Sequence, residues 1–176
     1  MKYSAPLLAV LLLAAGCSDD DDGPDAITEE NLRGTWELVG YDATTETTVD
    51  GFTVSSEQAL VDDDVTLTFN DDGTFVQEGS ATVAVTVVTD GQRADAVNSE
   101  LDFGSSGDYD VVDGRLTGFS QVEPDMPGVD PVVSSEESYE LRGDELTALT
   151  SASVAMTEDG VAFAIDVSVE VTYRRQ

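Results

Sequence analysis

The chain has 176 residues, of which 37 are Asp or Glu and seven are Lys or Arg, for a formal net charge of −30. So acidic a surface is a poor partner for nucleic acid or anionic lipid headgroups, because binding phosphates relies on Lys and Arg. The absence of histidine removes the imidazole base and the ordinary Ser-His-Asp triad, and a single cysteine excludes an internal disulfide.

The chain opens Met-Lys and continues with an apolar run from Ala5 to Gly16, interrupted only by Pro6. A positive start before an apolar segment of this length is the pattern of a secretory signal. It is too short to cross a bilayer as a helix, which takes about 20 apolar residues. Ala14, Ala15 and Gly16 then lead directly into Cys17. The stretch "LLAAGC" resembles the lipobox of bacterial lipoproteins, with Ala14 where that motif usually carries leucine. The resemblance implies that residues 1–16 are a removed signal peptide. It also implies that Cys17 is acylated on its sulfur and on its new amino terminus. Each buried methylene contributes roughly 0.8 kcal/mol to membrane attachment, so several acyl chains hold a protein permanently. Cys17 therefore reads as the lipid attachment site, the membrane as its partner, and the bacterial outer membrane as its address.

Residues 17–31 follow as an acidic tether, since "SDDDDGPDAITEEN" has little to bury and Asp19–Asp22 repel one another. The acid run also resembles the export signal of surface lipoproteins of some Gram-negative bacteria. "ITEENLRG" has the makings of one short turn of helix. From residue 32 the text is strands and turns. "TWELVGYDA" alternates in part, and in "VTLTF" Val65, Leu67 and Phe69 share one face. Asp72-Gly73, Asp113-Gly114 and Gly143-Asp144 each sit between alternating runs and mark three hairpins. In "VAFAIDVSVEVTY" the odd-numbered residues Val161 to Tyr173 are apolar and the even ones small or polar, which predicts a long strand wet on one side. Residues 90–107 read as a loop or short helix. Residues 120–131, with Pro124, Pro127 and Pro131, are excluded from a central strand.

Successive antiparallel hairpins close as an up-and-down barrel or stack as a sandwich. "LRGTWELVG" is similar to the Gly-x-Trp opening of the lipocalin and fatty-acid-binding superfamily, and "LTFNDDGTF", "GDYDVVDGRL", "YELRGDELTAL" and "VTYRR" follow in the same order. This resemblance implies an all-β, up-and-down antiparallel barrel of about eight strands over residues 32–176. It also implies Trp36 at the closed end under an arginine, Arg174 or Arg175, placed after the last strand.

A barrel of that size is filled by its own side chains or holds one small ligand. The ligand reading rests on Trp36, Phe69, Phe75, Tyr109, Tyr139 and Phe163 as an apolar lining, which suits a lipid-like or aromatic molecule. The competing reading is a structural or protein-interaction domain of the envelope with a filled barrel. Neither calls for catalysis, a cofactor or a specific metal. "NDDG" and "DYDVVDG" both fail the EF-hand spacing and read better as turns. The acid is spread along the whole chain and the only lysine is Lys2, which fits a halophilic surface suited to concentrated salt.

Overall fold

The structure, a computed structural model, describes residues 23–119, 132–158 and 161–176. The segments read as signal peptide and lipidated Cys17, and the proline-rich 120–131, lie outside the described residues. The elements are α1 (Glu29–Leu32), β1 (Gly34–Val49), β2 (Phe52–Asp63), β3 (Thr66–Phe69), β4 (Thr74–Thr89), β5 (Gln92–Arg93), β6 (Val97–Asp108), β7 (Asp110–Val112), β8 (Arg115–Thr117), β9 (Val132–Arg142), β10 (Glu145–Glu158) and β11 (Val161–Arg175).

The helix exists because both of its amino-terminal needs are met locally. The Thr28 hydroxyl accepts from the Asn31 N–H at 3.2 Å and Asn31 Oδ1 accepts from the Thr28 N–H at 2.7 Å, a reciprocal capping box. Leu32 at its end is fully buried. The approach to α1 also packs on the sheet. The Asp25 N–H donates to the Leu141 carbonyl at 2.6 Å, the Gly143 N–H donates to Asp25 Oδ2 at 2.6 Å, and Ile27 is buried. Asp25, assigned from sequence to the tether, is therefore held by the turn between β9 and β10, and Ile27 after it joins the core.

All pairings are antiparallel. β1 pairs along one edge with β2 and then β3, which β4 also spans, and β6 lies outside β4. The other edge of β1 takes β11, followed by β10 and β9. The resulting order is β6–β4–β2/β3–β1–β11–β10–β9, with β7 and β8 as a separate small hairpin. First and last strands are thus neighbours, and among the described residues β6 and β9 are the edges of the sheet. Phe119, just after β8, lies 4.9 Å from Phe75 of β4 and 5.9 Å from Tyr139 of β9, measured between ring centroids. A single side chain touching both halves of the sheet means the sheet curls around a common core.

The apolar face follows the alternation read from sequence, with Val65, Leu67 and Phe69 buried and Val169, Val171 and Tyr173 buried on β11. In β1 the alternation slips, because Val39 is an extra residue between Leu38 and Gly40. That bulge leaves Val39 largely exposed and returns Ala43 to the buried face, as a one-residue shift must. The Asp113-Gly114 turn has φ of 52° and 75°, the paired positive values of a tight hairpin. Asp50-Gly51 and Asp90-Gly91 turn in the same way, with φ of 51° and 81°, and of 50° and 74°.

One expectation fails. Residues 90–107 hold no helix, and apart from the turn at 90–91 and residues 94–96 they form the strands β5 and β6, with β6 pairing along β4 from Thr74↔Asp108 to Val85↔Val97. As an edge strand β6 needs few apolar residues, and glycines at 104 and 107 suit it better than a helix. The long register on β4 supplies what local propensity lacks.

Candidate functional site

The core narrows to a plug at one end. Trp36 is fully buried, its Nε1–H donates to the Leu32 carbonyl at 2.8 Å, and the Arg175 guanidinium carbon lies 4.6 Å from its ring centroid. Arg175 also donates to the Asn31 carbonyl, tying β11 to α1. Opposite the cation, the indole face gains a cation–π contact that partial burial strengthens.

Above the plug sits an aromatic cluster. Phe69 meets Tyr109 at 4.9 Å and Phe119 at 5.7 Å, both near edge-to-face, and Phe119 continues to Phe75 and Tyr139. Four of the six residues assigned from sequence to a ligand lining, Phe69, Phe75, Tyr109 and Tyr139, therefore come together, around Phe119. Trp36 belongs to the plug. Phe163 stands apart, half-buried and paired with Val49 at the far end of β1 and β11.

The phenols in this region are donors, not bases. Tyr139 donates to the Phe119 carbonyl at 2.6 Å and Tyr109 to the Asn70 carbonyl at 3.2 Å. Burial first, and then Glu137 beside it, pushes the Tyr139 phenol far above its ordinary value. Burial likewise raises Tyr41 and Tyr109. None of them offers a proton acceptor near neutral pH.

Beside the cluster, on the inner face of the sheet, lies a cavity of about 470 Å³. Its apolar walls are Phe75, Val169 and Val171 with Tyr41 and Phe103, the last two meeting edge to face at 6.3 Å. Gln77 lines it as well, although it is only 5% exposed. Its Nε2 donates to the Tyr173 hydroxyl at 2.6 Å, and its Oε1 accepts from the Ser105 hydroxyl at 3.0 Å. The wall residues come from four strands, so the cavity exists only once β1, β4, β6 and β11 have assembled. A second hollow of about 640 Å³ runs between β8 and β9, lined by Leu116, Tyr139 and Leu149 but also by Arg115, Glu136 and Glu137.

Of the residues assigned from sequence to a ligand lining, only Phe75 faces the inner cavity and only Tyr139 the hollow. Gln77 was not singled out beforehand, although its place in the period-two series with Phe75 made it an inward polar residue. Among the described residues there is no group of three or more potential metal ligands. No known protein family matches the chain, and neither a curated protein nor a solved structure does.

Proposed function

We propose that this chain is a lipid-anchored, non-catalytic protein of the bacterial cell envelope whose sheet closes as a lipocalin-like barrel and carries a small, largely apolar molecule. The observation that carries the ligand reading is the inner cavity, whose volume of about 470 Å³ falls in the range of small-molecule sites, about 300–1,000 Å³. Mostly apolar walls with few polar groups are what such sites present. The barrel reading draws on the pairing of first and last strands, and on Phe119 touching both halves of the sheet. Arg175 over Trp36 supports the likeness to lipocalins, in which an arginine after the last strand packs on this tryptophan.

Organic extracts of the purified folded protein, examined by mass spectrometry, should contain one apolar small molecule in near-stoichiometric amount. The neutral dye Nile red should bind the emptied protein at micromolar concentration. Val169→Trp, which fills the cavity from β11, should abolish both. An empty extract together with no dye binding would leave the filled, structural domain as the better reading.

Anchoring is tested separately. Cys17→Ser should release the protein from membranes into the soluble fraction, with the folded domain unchanged. A Ser variant that still sediments with membranes after a high-salt wash would remove the lipid anchor from the proposal.

A further inference from the structure

The chemistry of the cavity walls restricts what can enter. No arginine lines the cavity, and the chain has no lysine beyond Lys2. Arg175, on the strand that supplies Val169 and Val171, is engaged with Trp36 and Asn31. An anionic head would meet no counter-charge there, and Asp102 at the wall adds repulsion. A buried charge without a partner is far more costly than a buried, hydrogen-bonded neutral group. An ammonium head would find a carboxylate only at the exposed Asp102, because the buried Gln77 and its partner Ser105 are uncharged.

What the cavity does offer is one amide with hydrogen-bonding capacity left over. A glutamine side chain has two N–H donors and two carbonyl lone pairs. Tyr173 takes one donor and Ser105 fills one lone pair, which leaves one N–H and one lone pair at Gln77. Those two contacts also fix the amide in place, so its geometry is set before a guest arrives.

Resting on the ligand reading above, we infer that the cavity selects neutral amphiphiles, with an alcohol, ketone or ester head hydrogen-bonded to Gln77, over fatty-acid anions of the same length. The head lies at Gln77 and Ser105, and the apolar body runs along Val169, Val171 and Phe75.

The test is equilibrium dialysis of the full chain against labelled 1-decanol, decanoate and undecane, each at micromolar concentration, in about 1 M sodium chloride. At that salt the Debye length is ~3 Å, so the overall negative charge no longer discriminates and the cavity itself is read. Decanol should bind at least about ten-fold more tightly than decanoate. Gln77→Leu should weaken decanol about ten-fold while leaving undecane unchanged, the alkane serving as proof that the variant is folded. Gln77→Met does the same should the leucine variant not fold. Equal binding of decanol and decanoate would overturn the selectivity and leave the ligand reading standing. A Gln77 variant that weakens all three probes alike would overturn the head-group contact. No binding by any probe would overturn both the inference and the reading it rests on.

Discussion

Between about 0.01 M and about 1 M sodium chloride the melting temperature should rise by about 10–20 °C, and potassium chloride should serve as well as sodium. The charge budget is lopsided: six arginines face 37 carboxylates once Lys2 is set aside. The ion pairs Arg93–Glu57, Arg142–Glu140 and Arg174–Glu145 lie at the surface. Exposed pairs of this kind contribute ~0–1 kcal/mol each. The strand register makes matters worse at two places. Asp42 stands directly opposite Glu170, and Glu46 directly opposite Asp166, on the wet face of β1 and β11. Like charges placed so are destabilising by roughly the few tenths to 1 kcal/mol that opposite charges would gain. At ~0.01 M salt the Debye length is ~30 Å, so these pairs and the rest of the surface repel across the whole domain. Set against a stability of ~5–15 kcal/mol, that repulsion decides whether the fold persists. A change of about 5 kcal/mol corresponds to about 10–20 °C for a chain of this size.

Glu170→Arg turns the first like pair into an opposite one. It should raise the melting temperature by a few degrees at low salt and by nothing measurable at about 1 M. A flat dependence on sodium chloride would discard the salt-adapted surface. A requirement met by millimolar calcium, and not by monovalent salt, would replace it with a metal site.

Much of the fold was legible because its strands obey a period of two. "VTLTF" and the run from Val161 to Tyr173 announce a buried and a wet face; the structure buries Val65, Leu67 and Phe69, and Val169, Val171 and Tyr173, while the odd-numbered residues from Val161 to Val167 are half-buried. Turns were legible at Asp72-Gly73, Asp113-Gly114 and Gly143-Asp144, where Asp and Gly adjoin. Asp50-Gly51 and Asp90-Gly91 carried the same signal and passed unread, which is why β1 and β4 run longer than the text suggested. β6 was not legible: an edge strand with Asp, Ser and Gly has no pattern of its own and depends on its register with β4. The candidate site was the least legible part. Aromatic residues in the strands pointed to a lining, yet Phe69, Phe75 and Tyr139 pack on Phe119, and Tyr109 on Phe69. The cavity depends instead on where β4 bends, which a single polar residue at 77 does not reveal.

That bend leads to the last expectation, that Gly79→Ala will destabilise the domain by about 3 kcal/mol or more. Gly79 lies in the interior of β4, where glycine commonly marks a sharp bend or a close approach of another backbone. Both hold here. Its φ is +123°, and a Cβ at this position would sit 2.6 Å from the Asp64 carbonyl oxygen and 2.7 Å from Val65 Cα. Asp64 and Val65 are the two residues at which β2 gives way to β3, so the partner strand breaks where β4 bends. The corner is fastened on both sides. The Asp64 N–H donates to the Ser80 carbonyl at 2.9 Å, and Asp64 Oδ1 accepts from the Ser80 N–H at 2.5 Å. An alanine would need the corner to open, and strained backbone alone costs ~1–3 kcal/mol before the clash is counted. The melting temperature in about 2 M sodium chloride should therefore fall by about 6 °C or more, at roughly 2–4 °C per kcal/mol. Gly104→Ala on β6 is the control. Its Cβ would meet nothing within 4 Å, and its φ is not in the positive range, so it should melt within a degree or two of the parent. Gly79 pairs with Phe103 and lies two residues from Gln77, so a distorted corner also moves a wall of the cavity. What folded Gly79→Ala protein remains should bind Nile red more weakly than the parent does. If both variants melt and bind like the parent, the bend at Gly79 does not shape the cavity.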